Sequence, residues 1–181
     1  LFDETYPTRE NDQKALEAIR SLGVNLEPLT LSTEIPVTSL RIMLTAEAAA
    51  AFDELTRSNR DSLLTDQRRN AWPNTFRAAR FITAVDYINA SRVRAQLVNE
   101  FYQKTKDFDV ILTPSFGGIQ LLTTNLTGTP CLVVPNGFNA KGSPTTFSFL
   151  GRLDGEAAIA LLAQAYQDAT TWDEQAPPLF K

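Results

Sequence analysis

Apolar residues recur along this chain with two different periods, and the change of period predicts the order of its elements. Ala15, Leu16, Ile19 and Leu22 fall three and four apart, the repeat of a helix with one inward side. Asn11 or Asp12 can cap that helix and Gly23 can end it. Val24-Asn25-Leu26-Glu27-Pro28 then alternates like a short strand whose proline places it at an edge or an end. Asp12, Glu17 and Arg20 read as the solvated face of the helix. After Pro36, Thr38 or Ser39 caps a second helix to about Arg57, with Leu40, Met43, Leu44, Ala51 and Leu55 inward. Trp72-Pro73-Asn74 marks a boundary, and Phe76 to about Lys104 reads as one long helix. Its stripe of Phe81, Ala84, Val85, Ile88, Ala95, Val98, Phe101 and Tyr102 is expected to be core.

The second half changes character. Asp109-Val110-Ile111-Leu112-Thr113-Pro114 and Cys131-Leu132-Val133-Val134-Pro135 are short apolar runs closed by turn residues, the mark of strands buried on both faces. Between them, Gln120 to Asn125 is rich in hydroxyls and amides, and Gly128-Thr129-Pro130 cannot continue a helix, so the stretch reads as a loop feeding a buried strand. Asn136 to Pro144 reads as a turn and Thr145 to Gly151 as a half-buried strand. Asp154 then caps a last helix whose inner face carries Ala158, Ile159, Leu161, Leu162, Ala165, Tyr166 and Ala169. The expected class is α/β, a mixed, largely parallel sheet covered by helices, with ligands at the carboxyl ends of the strands.

Composition narrows the function. A chain of 181 residues buries roughly 70% of its unfolded surface, enough for one domain or one part of a larger one. A net charge of -4 argues against a nucleic-acid footprint and against an anionic membrane surface. No apolar run approaches the roughly 18 residues of a membrane span, so the chain is expected to be soluble. There is no histidine, which removes Ser-His-Asp and Cys-His nucleophile systems and most zinc sites; no metal or cofactor is expected. The single cysteine, Cys131, reads as a small buried hydrophobe. The chain opens on Leu1 and its one methionine is Met43, so it is expected to begin inside a longer protein.

Charged and glycine-rich stretches supply few candidates for chemistry. From Thr56 to Asn70, arginines interleave with Asp61 and Asp66, which reads as a solvated turn and helix ends. Ser115-Phe116-Gly117-Gly118 is either a ligand-facing loop or a plain strand-to-helix turn. Lys141-Gly142-Ser143 resembles a nucleophile-base pair only superficially, because an open turn does not desolvate the lysine.

Taken together, Trp72, Phe81, Tyr87, Arg92, Arg94, the Asp109 to Pro114 strand, Thr124-Asn125-Leu126-Thr127-Gly128-Thr129-Pro130 and Val134-Pro135-Asn136-Gly137 resemble the C-terminal part of the amidase signature family. The resemblance is strongest from about Ala46 to Phe180. Within the family it is nearest to the Asp-tRNA/Glu-tRNA amidotransferase A subunits and related amidases. It implies that residues 1–181 form the C-terminal part of a single amidase domain. The partner is the N-terminal half of the same protein, and the substrate is a small-molecule amide.

Such enzymes use a serine nucleophile, a second serine preceded by a cis peptide bond, and a lysine base. All three precede the matched region, so no catalytic residue is assigned in this chain and the chain alone is expected to be inactive. By the same resemblance, Arg77 or Arg80 is a candidate to hold a substrate carboxylate, since a guanidinium meets both oxygens at once. Gly117 and Gly118 are candidates for the pocket loop, and Thr124 and Asn125 for the floor of the acyl pocket. The amidotransferase members of the family carry an acidic residue in that loop; Phe116-Gly117-Gly118-Ile119-Gln120 has none. Three functions follow as expectations: an amidohydrolase, the A subunit of a tRNA-dependent amidotransferase, and a non-catalytic α/β binding module. A cytoplasmic location and self-association of the chain through an uncovered sheet edge are also expected.

Overall fold

A computed structural model describes residues 9–116 and 118–177. In chain order these form helix α1 (Arg9–Ser21), a short 3-10 turn (Val37–Leu40), helices α2 (Arg41–Ala51), α3 (Asp53–Arg57), α4 (Trp72–Ala79) and α5 (Ala84–Thr105), strand β1 (Val110–Pro114), helix α6 (Gln120–Thr127), strands β2 (Cys131–Phe138) and β3 (Pro144–Gly151), and helix α7 (Glu156–Thr170). They divide into two compact units, one of residues up to Ser32 with those from Phe101 onward, the other running from Thr33 to Glu100.

In the first unit the strands lie in the order β1-β3-β2, and both pairings are antiparallel. The α/β class stands, but the largely parallel sheet expected from the sequence is corrected here. The reason is the connection from β2 to β3. The Asn139 side chain accepts the backbone amides of Lys141 (2.9 Å) and Ser143 (3.0 Å), closing a tight turn that must reverse the chain. Because β1 and β2 each run against β3, they run parallel to each other, with α6 as their crossover. A β-α-β unit is present, with a third strand inserted between its two strands.

One face of this sheet carries the core. Phe147 and Phe149 are fully buried, their rings 5.5 Å apart and edge to face, and Tyr166 of α7 packs 6.3 and 6.0 Å from them. Ala15 and Ile19 of α1, Val134 of β2, and Ile159 and Ala163 of α7 complete it. Each large side chain buried here contributes about 1.5–3 kcal/mol relative to exposure.

Three local readings change. Val24 to Pro28, expected as a short strand, forms none and joins no sheet. The stretch read as a loop, Gln120 to Thr127, is helical: Thr123 and Thr124 donate their hydroxyls to the carbonyls of Ile119 (2.9 Å) and Leu121 (3.1 Å), and Gly128 ends the helix at φ 73. Hydroxyls bonded back into the helix no longer compete with its backbone. α7 begins after Gly155, and Asp154 makes no side-chain cap.

Asp12 is the largest local surprise. Instead of facing solvent it is fully buried, and its carboxylate accepts the Asn136 amide at 2.8 Å. Thr145 donates to the Asn136 carbonyl oxygen at 2.7 Å, and Asn11 donates to the Thr145 hydroxyl at 2.8 Å and the Phe138 carbonyl at 3.1 Å. The β2–β3 register slips between Pro135 and Gly137. Gly137 sits at φ 130, where a Cβ would come within 3.1 Å of the Asn11 amide. Glycine there lets α1 approach the bulge.

The second unit is helical. Phe52 stacks on Phe76 at 4.9 Å and Trp72 on Phe76 at 5.5 Å. Leu40 and Met43 are buried, but Leu44, read as inward, is half exposed. The helix expected from Phe76 to Lys104 is broken after Ala79. Thr83 accepts the Asp86 amide (3.1 Å) and Asp86 accepts the Thr83 hydroxyl (2.6 Å), a reciprocal cap that starts α5. Of the apolar stripe expected to be core only Phe101 is buried, whereas Phe81, Ala84, Val85, Ile88, Ala95 and Tyr102 are exposed; burial falls instead on Ala90 and Leu97. No helix among the described residues is long and apolar enough to cross a membrane.

Candidate functional site

Alternation along β3 sends Ser148 and Leu150 to the sheet face opposite Phe147 and Phe149. Thr113 of β1 and Val133 of β2 share the Ser148 row by register. That face is polar toward the end of β1. Thr113, Ser115 and Ser148 are buried, and Ser148 donates its hydroxyl to that of Ser115 at 2.9 Å. Beyond Ser115 the chain turns into α6, whose buried side carries Gln120, Thr123, Thr124 and Thr127.

Of the expected pocket residues in this unit, Gly118, Thr124 and Asn125 are described. Gly118 has φ 63 and an open surrounding, with nothing within 4 Å of where a Cβ would stand; its positive φ suits glycine in the strand-to-helix turn. Gly117 lies outside the described residues. Thr124 is buried with its hydroxyl donated to the Leu121 carbonyl, while Asn125, one residue on, is exposed. Helical geometry thus separates two neighbours that the sequence grouped together.

Sequence reasoning missed Gln120. Its side chain is buried, and its Oε1 accepts no hydrogen bond among the described residues. A buried acceptor without a donor costs about 1–3 kcal/mol, so its retention asks for a reason. Periodicity could not single it out, because a polar residue at a helix start is ordinary. The Ser115–Ser148 pair was missed for a related reason: its partners lie far apart in the chain and meet only across the sheet.

Cys131 is also corrected. It opens the outer strand β2 and is exposed, because its side chain points away from the aromatic core at the sheet's margin. Partial burial raises its thiol above the usual value, and the Ser148 hydroxyl offsets this in part. A thiol so shifted is mostly protonated at neutral pH and a poor nucleophile.

Arg77 and Arg80 belong to the second unit, and each has a carboxylate beside it. Arg77 Nη2 lies 2.5 Å from Asp61 Oδ2, and its Nη1 donates to Asn74 at 3.1 Å. Asp61 is 1% exposed, which corrects the reading of its segment as wholly solvated. The contact is close but poorly aligned, since neither Asp61 oxygen takes a geometrically sound hydrogen bond among the described residues. Arg80 pairs with Asp53 at the surface.

In the first unit, the buried hydroxyls and the Gln120 amide can hold and orient a polar ligand. They do not include a serine activated for acyl transfer. Lys141 and Ser143 lie exposed in the β2–β3 turn, and Lys14 is paired with Glu10 at 2.7 Å on the surface. No group of three or more His, Cys, Asp or Glu side chains is placed to hold a metal among the described residues.

No family model matches the chain. It is 26% identical, over 94% of its own length and 43% of the relative's, to the glutamyl-tRNA(Gln) amidotransferase A subunit of Thermodesulfovibrio yellowstonii. Its fold matches a bacterial aryl acylamidase of the amidase signature family with a TM-score of 0.71 at 16% identity, covering 96% of this chain and 42% of that one. An amidase family protein from Bacillus anthracis gives a TM-score of 0.70 at 16% identity over 98% of this chain and 38% of the other. The chain therefore spans well under half the length of these proteins. By sequence relationship to the amidotransferase A subunits and by fold together, the chain is similar to a C-terminal portion of amidase signature enzymes.

Proposed function

We propose that this chain forms sheet strands, covering helices and part of the substrate pocket of an amidohydrolase that cleaves a small carboxamide through a serine acyl-enzyme. One observation carries the reading: nearly the whole chain, 96%, superposes on a C-terminal portion of an amidase signature enzyme at a TM-score of 0.71. The absence of histidine agrees with a serine-lysine mechanism, in which backbone N-H groups stabilise the oxyanion. The nucleophile, the second serine and the lysine belong to the N-terminal half, which is the partner of this chain within one domain. The chain alone is inactive.

Within that pocket we assign the Gly118 turn and the start of α6, with Thr124 and Asn125, to the floor. Arg80, paired at the surface, is the better of the two arginines to hold a substrate carboxylate, because Arg77 is committed to buried Asp61. The protein acts in the cytoplasm and does not contact nucleic acid with this chain.

The test is chemical trapping on the natural polypeptide that carries this sequence. Incubated with p-nitroacetanilide, benzamide or glutamine in hydroxylamine, it should give a hydroxamate, and the 181-residue chain should give none. No hydroxamate from any of these amides, with the polypeptide folded, sinks the reading.

A second reading is favoured by the name that two of the relatives carry, the A subunit of glutamyl-tRNA(Gln) amidotransferase. Under it the acyl-enzyme forms from glutamine and ammonia passes to a partner protein. The absence of a carboxylate from Phe116 to Gln120 opposes it. Glutamine hydrolysis that requires added partner proteins would establish it over the first.

A further inference from the structure

Strands β1, β2 and β3 and helix α6 hold no charged residue. The polar side chains at the start of α6 and on the adjoining sheet face are therefore neutral, and nearly all have spent their hydrogen bonds. Thr123, Thr124 and Thr127 donate to the carbonyls of Ile119, Leu121 and Thr124, and Ser148 donates to Ser115. Gln120 is the exception. It is 6% exposed, its Oε1 accepts no hydrogen bond among the described residues, and its Nε2 donates to none of them. The other bare buried groups differ in setting: Asp61 lies beside Arg77, and Tyr166 belongs to the aromatic core with Phe147 and Phe149. Cα–Cβ bonds of a helix tilt toward its N-terminus, so Gln120, the first residue of α6, leans back over Ile119 and Gly118. Around Gly118 nothing lies within 4 Å of where a Cβ would stand. The free amide is thereby aimed at the open turn, and its terminal torsion is broad enough to present either end there.

Building on the amidohydrolase reading, we propose that Gln120 sets the substrate class: the part of the substrate beyond its scissile amide that reaches α6 is a second, neutral amide-type group, with N-H and C=O side by side, and not an ammonium. A primary amide offers donors on one side and an acceptor on the other, so two amides pair through two reciprocal hydrogen bonds, and both free ends of Gln120 are satisfied at once. An ammonium has three donors and no acceptor. It would leave Nε2 unpaired, and with no carboxylate from Val110 to Ala140 it would be desolvated without a counter-charge from this stretch. An alkyl group would leave both ends of Gln120 bare. A site with buried polar groups rejects the analogue that cannot pair with them.

Three amides that share a two-carbon arm test it on the natural polypeptide that carries this sequence. Succinamide ends the arm in a carboxamide, 3-aminopropanamide in an ammonium and butanamide in a methyl. In hydroxylamine, kcat/KM for hydroxamate formation should favour succinamide over each of the others by about tenfold or more. Gln120→Leu should erase that preference with thermal unfolding unchanged, and Gln120→Glu should turn it toward 3-aminopropanamide. Equal rates for the three amides overturn the inference. So does a Gln120→Leu variant that keeps the preference, and one that keeps it while losing stability shows that the N-terminal half, not substrate, pairs with Gln120. Dissociation constants of the three amides by ligand-observed NMR, read without turnover, separate this claim from the one it builds on. Succinamide bound about tenfold more tightly than the other two, through Gln120 but with no hydroxamate formed, would sink the amidohydrolase reading and leave the neutral recognition standing. Hydroxamate formed from all three alike would do the reverse.

Discussion

Arg77 brings its guanidinium to 2.5 Å from the carboxylate of Asp61, and Asp61 is 1% exposed. An arginine that the family resemblance puts forward for a substrate carboxylate is thus held to a buried carboxylate of its own unit. Breaking a buried pair from one side leaves an uncompensated charge, which costs about 3–5 kcal/mol. Arg77→Met should therefore lower stability by about that much. Adding Asp61→Asn in the same protein should recover much of the loss, because the stranded charge is gone. Urea unfolding of the two single variants and the double variant reads the coupling. A loss below about 1 kcal/mol for Arg77→Met, the range of a surface pair, would show that the pair is not holding the unit together.

The Asp12–Asn136 hydrogen bond fastens α1 to the β2 bulge inside the first unit. Asp12→Ala removes the acceptor of the Asn136 amide, and Asn136→Ala removes a donor from the buried Asp12 carboxylate and the acceptor of the Thr145 hydroxyl. Each should cost about 2–3 kcal/mol, with strong non-additivity in the double variant. Gly137→Ala acts on the same junction, combining a positive φ with a Cβ 3.1 Å from the Asn11 amide, and should cost about 1–3 kcal/mol. Denaturant midpoints check all four.

Tyr166 gives a pH signature. It is fully buried, and its hydroxyl has no hydrogen-bond partner among the described residues. The nearby Thr170 hydroxyl is engaged in donating to the Tyr166 carbonyl at 2.8 Å. Burial, the leading cause, pushes the phenol from its ordinary 10 up to about 12. Because the folded value is the higher one, the neutral phenol's contribution is fully present below pH 10 and is lost as pH rises from about 10 to about 12. Tyr166→Phe should flatten stability across that window and cost less than about 1 kcal/mol at pH 7, since it removes an unpaired buried group. Guanidinium unfolding at closely spaced pH values from 7 upward compares the two proteins.

Cys131 should be exposed but slow to react. Burial around the thiol raises it and the Ser148 hydroxyl lowers it in part. The rate of alkylation by iodoacetamide should rise with pH at a midpoint above that of a free thiol. Ser148→Ala should move the midpoint higher still. Rapid alkylation at pH 7, as fast as glutathione, would contradict the assignment.

Gln120 separates structure from function. If its bare Oε1 serves only packing, Gln120→Leu should leave stability unchanged or raise it by about 1 kcal/mol, as loss of an unsatisfied acceptor allows. If it faces substrate, the same variant in the natural polypeptide should lower kcat/KM about tenfold or more with stability unchanged. Hydroxamate yield and thermal unfolding, measured on one preparation, distinguish the two.

The sequence alone determined what local chemistry controls. The apolar repeat of Ala15, Leu16, Ile19 and Leu22 made a helix, and the runs from Val110 and Cys131 made strands. Tertiary structure decided everything that depends on which neighbour a residue meets. A tight turn after β2 inserted β3 between two strands that run parallel. The same threonines that suggested a loop turned their hydroxyls onto α6's own carbonyls. Asp12 and Asp61, polar and solvated as the sequence alone reads them, are buried because Asn136 and Arg77 come from 124 and 16 positions along the chain to meet them. Periodicity records which side of an element faces inward, whereas hydrogen bonds and charge pairs between distant segments leave no period to read.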